Sequence, residues 1–115
     1  MGRPDYSSNV TVANEYTLLG VGTLYGRVTA GVAAAEIKVG ATALSGRKIV
    51  SMQAHPDNAG YVYIGFDNTV SATNYAFILS AGSMLSLNLD ASAALDIYCL
   101  ASAADQYLGV IEGVN

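Results

Sequence analysis

Apolar and polar positions alternate most cleanly over residues 84–90, where Leu85, Leu87 and Leu89 fall on one side and Ser86, Asn88 and Asp90 on the other. That period of two is the signature of a half-buried strand. Two more runs, 49–53 and 61–66, are rich in β-branched and aromatic residues and are separated by His55-Pro56-Asp57-Asn58-Ala59-Gly60, a dense cluster of turn formers. The pattern predicts a β-hairpin over residues 47–67, around which the rest of the chain is organised. In its second arm Val62, Ile64 and Phe66 share one face, expected to be core. Tyr61 and Tyr63 share the other, where large rings with polar tips suit a half-exposed or covered surface.

Further along, residues 77–79, 95–101 and 106–112 read as strands, separated by the Asx- and hydroxyl-rich loop 67–75 and by short Ala/Ser/Gly connections. Residues 32–38, VAAAEIK, have helix propensity, but seven residues are few for an independent helix. The alternation of Glu36, Ile37, Lys38 and Val39 assigns 36–39 to strand, with a helical turn before it as the alternative. Strands recurring about every ten residues predict an all-β chain, a small antiparallel β-sandwich or barrel. Its expected core is Val62, Ile64, Phe66, Leu85, Leu87, Leu89, Leu95 and Ile97.

Residues 1–30 differ from this regular spacing. Val10, Val12, Tyr16, Leu18, Leu19, Leu24 and Tyr25 are scattered among small and polar residues and glycines. They are too apolar for a solvated disordered tail, so the region reads as an extended N-terminal arm that packs on its own domain or on a neighbouring subunit. The organisation predicted is an arm, 1–30, followed by a sandwich domain, 31–115.

Composition changes this picture in one respect. The 115 residues suit a single domain, yet only 12% are charged, against about 25% in ordinary soluble chains. A surface this poor in charge favours a subunit of an assembly. All five basic residues lie in 1–48 with three acids, a net +2, while 49–115 hold six acids and no base, a net −6. Arg47-Lys48 is the only adjacent basic pair, which argues against nucleic acid as a partner. The first ten residues have no apolar core of a signal peptide, and the longest uncharged run, 68–89, is broken by polar residues, so neither a secretion signal nor a membrane span is predicted.

The order of elements resembles a pattern found in small virion structural proteins of tailed bacteriophages. The strings GRKIVSMQ, YVYIGFDNTVSATNYAFILSAGSMLSLNLD and LDIYCLASAADQYLGVIEG carry it, through Arg47, Tyr63, Ile64, Gly65, Asp67, Val70, Leu79, Ala81, Gly82, Leu85, Ile97, Tyr98, Ala101, Ser102 and Glu112. The resemblance spans about residues 42–113 and leaves the arm unmatched. The chain departs from the pattern at 54–58, where such proteins usually carry an N-x-G turn. The resemblance implies a head decoration (cement) protein at the capsid surface, made in the host cytoplasm, with the major capsid protein and other copies of itself, in a homotrimer, as partners.

The search for chemistry points to no catalytic residue, metal site or cofactor. Gly20, Gly22 and Gly26 form GxGxxxG, which lacks the spacing and the following helix of a dinucleotide site. His55 is the only histidine and sits in a turn; Cys99 is the only cysteine and sits in an apolar alternation suited to core packing. Asp90 and Asp96 flank turns and form no hydrolytic pair. Asp67, Asn68 and Asn74 offer oxygens but not the dense acidic spacing of a calcium loop. The candidate site is therefore a contact surface to subunits or capsid made of Val10, Val12, Tyr16, Leu18, Leu19, Leu24, Tyr25, Tyr61 and Tyr63. The alternative function is a tail- or fibre-associated module whose tyrosines stack on a host glycan.

Overall fold

The computed structural model describes residues 22–114. Eight strands are present among them: β1 (Leu24–Ala30), β2 (Ala35–Glu36), β3 (Ile49–Ala54), β4 (Val62–Gly65), β5 (Phe77–Leu79), β6 (Met84–Asn88), β7 (Tyr98–Ala101) and β8 (Gln106–Gly113). They form two antiparallel four-stranded sheets, ordered β1-β8-β3-β6 and β2-β7-β4-β5. The expected all-β sandwich is what is found, with no helix among the described residues. The helical turn considered before 36–39 is absent, and the strand there shortens to β2.

The core lies between the inner faces. Val50, Met52 and Ala54 of β3 and Leu108 and Val110 of β8 meet Val62 and Ile64 of β4 and Cys99 and Ala101 of β7, all essentially without exposure. Leu85, Leu87 and Leu89 do face inward, but β6 is an edge strand and they are only partly buried against this cluster. Phe66 and Leu95, expected in the core, are 39% and 41% exposed. Phe66 follows the end of β4, where the chain bends and strand alternation stops. Leu95 lies in the irregular segment before β7 begins at Tyr98, where strand alternation does not apply, and Ile97 alone enters the core.

The hairpin over 47–67 is not formed. Its two strands exist, but β3 pairs with β8 and β6 in one sheet while β4 pairs with β7 and β5 in the other. The turn cluster between them is an arch that carries the chain from sheet to sheet, and its polar side chains replace the ladder that a hairpin would supply. Asn58 donates from Nδ2 to the Tyr107 carbonyl at 2.9 Å and accepts the Tyr107 amide at 2.9 Å. The Gln106 Oε1 accepts the Ala59 and Gly60 amides at 2.7 and 3.1 Å.

The boundary at residue 30 also moves. β1 is hydrogen-bonded along its length to β8, from Leu24 opposite Glu112 to Ala30 opposite Gln106, so residues 24–30 belong to the sandwich. Val28 and Ala30 face inward and contribute to the core. The strand starts at a fixed point, because Gly22 has φ +91° and a Cβ there would lie 2.5 Å from Val114. Only glycine fits both conditions.

Candidate functional site

Of the nine contact residues expected from sequence, Val10, Val12, Tyr16, Leu18 and Leu19 lie outside the described residues. The other four are not brought together. Leu24 and Tyr25 open β1 in the first sheet, whereas Tyr63 lies in β4 of the second and Tyr61 just before it. Tyr61 is half exposed. Tyr63 is buried on a covered face, because the ring of Tyr75 from the 66–76 loop lies over it at 5.1 Å between centroids. Its parity puts it on the outer side as expected, level with Leu100 of β7 and Ile78 of β5.

The most developed surface feature lies on the outer face of the first sheet. A groove of about 510 Å³ crosses all four strands between Tyr25 and Met84, which are 81% and 71% exposed. Strand alternation places Tyr25 and Arg27 of β1, Gly109 and Ile111 of β8, Ser51 and Gln53 of β3 and Met84 of β6 on this one side. Its one Lys or Arg side chain is held in place, since the Arg27 guanidinium lies over the Tyr107 ring, 4.2 Å from the centroid.

Gly109 forms the floor of the groove. It sits inside a central strand, where glycine weakens the sheet. Its backbone does not take the positive φ that would demand glycine, and a Cβ would meet nothing within 4 Å. Neither conformation nor internal packing requires glycine here. A bare backbone in mid-strand is the arrangement that lets another molecule approach closely, and sequence reading passed over it because one glycine in a strand carries no pattern.

The remaining polar groups are absorbed by structure. His55 accepts the Asp57 amide on Nδ1 at 3.0 Å and presents its ring edge to Tyr107. Asp67 caps its own turn by accepting from the backbone and hydroxyl of Thr69, and the hydroxyl bond above all holds its carboxyl below the ordinary value. Asp90 does the same with Ser92. No group of three or more His, Cys, Asp or Glu suited to a metal occurs among the described residues.

Cys99 is buried in the core, and desolvation pushes its thiol from 9.0 up to about 11. Because folding favours the protonated form, the associated stability is complete below pH 9.0 and is lost as pH rises toward about 11. That loss should be roughly 2 to 3 kcal/mol in urea unfolding. Cys99→Ala should remove this alkaline decline.

One polar cluster was not anticipated as a unit. Arg47 and Glu112, each noted only as a matched position of a strand, form a buried ion pair at one end of the sandwich. The Glu112 carboxylate also accepts the amides of Val39 and Leu44, at 3.0 and 3.2 Å. Arg47 donates to the carbonyls of Ile37 and Leu95 at 3.3 and 3.1 Å. The pair ties the 37–47 segment and the 89–97 loop to β8, and its many bonds mark it as architectural.

Compared with protein-family models, with curated proteins and with solved structures, the chain matches none.

Proposed function

We propose that this chain is a non-enzymatic structural protein of a phage virion, a decoration (cement) protein that binds the outside of the head shell. The observation that carries the reading is the groove on the first sheet. Its Gly109 floor and its walls of Tyr25 and Met84 form a largely apolar, close-approach surface, with Arg27 its one Lys or Arg side chain, suited to a protein side chain or backbone rather than to a reacting small molecule. The partner is the major capsid protein, with further contacts between three copies of this chain and through its N-terminal segment. The order of strand motifs over residues 42–113 supports the virion assignment, and a 12% charged fraction supports a life in an assembly.

Cosedimentation with purified capsid shells tests it. Gly109→Tyr fills the groove from a position where a side chain has room, and Met84→Asp places a charge in its wall. Each should weaken shell binding by about tenfold or more, without changing the unfolding midpoint by more than the strand propensity of the new residue. Shell binding unaffected by both would overturn the reading. Binding to host surface polysaccharide, with none to shells, would favour the tail-module alternative.

A further inference from the structure

The four described strands of the first sheet hold two charged residues, Arg27 and Glu112, and Glu112 is buried in the interior. Arg27 is exposed on the outer face, where it lines a groove that has no Asp or Glu in its lining. The whole chain carries a net charge of −4. An acidic protein that sets one permanent positive charge beside an apolar groove is complementary there to an apolar partner surface bearing a negative charge.

The way Arg27 is held prepares it for that charge. Its guanidinium lies over the Tyr107 ring, 4.2 Å from the centroid. Contact with a ring positions the group without a hydrogen bond, so its N–H donors keep their planar fork for an acceptor. Of the described residues, none accepts a hydrogen bond from this guanidinium and no carboxylate is paired with it. In the ladder Arg27 is directly opposite Gly109, with Gln53 on the other side of Gly109. Neighbouring strands are about 4.8 Å apart, so a segment laid on the bare backbone of Gly109 comes beside the guanidinium. The Gln53 side chain is already engaged, donating from Nε2 to the Gly82 carbonyl at 3.2 Å.

We propose that the groove receives an Asp or Glu residue of the major capsid protein, its carboxylate paired with Arg27 and an adjoining apolar residue seated over Gly109. This rests on the reading of the groove as the shell-binding surface and adds the chemistry of the partner. A carboxylate meets the guanidinium fork with two parallel hydrogen bonds, whereas a neutral segment offers only single carbonyl acceptors. The apolar partner also displaces water around the pair, which strengthens it relative to an exposed one.

The test is shell binding by the full chain, joined to a peptide titration that needs no shell. Arg27→Gln should weaken cosedimentation with shells by about tenfold or more, and Arg27→Lys, which keeps the charge but not the fork, by about threefold. Added salt should weaken binding of the parent and leave that of Arg27→Gln nearly unchanged. If Gly109→Tyr and Met84→Asp release the shell but Arg27→Gln binds it as the parent does, the groove reading stands and this proposal is overturned. If no groove variant alters shell binding, the groove reading fails, and the peptides decide the carboxylate by themselves. Acetyl-Leu-Glu-Leu amide at millimolar concentration should shift the NMR resonances of the Gly109 amide and the Arg27 Nε–H, and its Leu-Gln-Leu counterpart should not. Equal shifts from both peptides, or none from either, overturn the proposal. A free chain whose sedimentation changes with Arg27→Gln while its shell binding does not would give the groove to a second copy, and overturn it as well.

Discussion

Glu112→Ala should lower the free energy of unfolding by about 3 to 5 kcal/mol, the usual cost of stranding one member of a buried ion pair. The arithmetic is unfavourable from every direction. Arg47 is only 6% exposed and would keep its charge without a counterion. The Val39 and Leu44 amides would lose their acceptor at the same time. Many buried pairs can be replaced by apolar residues at no net cost, but this one also serves four backbone groups. Arg47→Met combined with Glu112→Leu should therefore remain destabilised by about 3 kcal/mol or more, since each buried backbone group left unpaired costs about 1 to 3 kcal/mol. Urea titration of the two single variants and the double variant gives the answer. A double variant as stable as the parent would mean that the backbone bonds contribute nothing and that the pair is dispensable.

Leu108→Ala should cost about 2 to 5 kcal/mol, through lost burial and the cavity left behind. Leu108 is fully buried at the inner face of β8, with β1 on one side and β3 on the other, so little around it can collapse into the space. Leu87→Ala, on the edge strand β6 and partly buried, should cost about half as much. Thermal or urea unfolding of both variants tests the ranking. If Leu87 proved the costlier, the centre of the core would lie toward β6, and the arrangement of the first sheet would be wrong.

That ranking reverses what alternation alone suggests, and the reason shows how far the sequence could be read. The run 84–88 announces itself because β6 has one solvated face, which makes its pattern clean. β8 has a similar inner row, Gln106, Leu108, Val110 and Glu112, but two polar members hide it. Gln106 is spent on the arch and Glu112 on Arg47, and neither use is visible until strands distant in sequence are side by side. Turn chemistry at 55–60 was legible as a change of direction, but turn residues do not say whether the chain returns within one sheet or passes to the other. Tyr63 was given its correct side by parity; its burial depends on Tyr75, twelve residues away in an irregular loop. Of the candidate site, Tyr25 was legible as an apolar contact residue of the N-terminal arm. Met84 and Gly109 were not, since their meaning comes only from the strand register that sets them across from Tyr25 and Arg27.

The position of β8 between β1 and β3 has a consequence for how the protein is made. Chain order and spatial order disagree in the first sheet: β1 pairs with residues 106–113, which leave the ribosome some eighty positions later. Until then the nascent chain can join β3 to β6 and β4 to β5, but the inner faces of both pairs stay open to water and to other nascent chains. Contacts of such long sequence separation fold slowly, and apolar surface exposed in the interval invites aggregation. A ribosome stalled anywhere before residue 106 would therefore hold a chain without its central strand, and the emergence of residues 106–113, not passage of any earlier segment, is the event that commits this sandwich to fold.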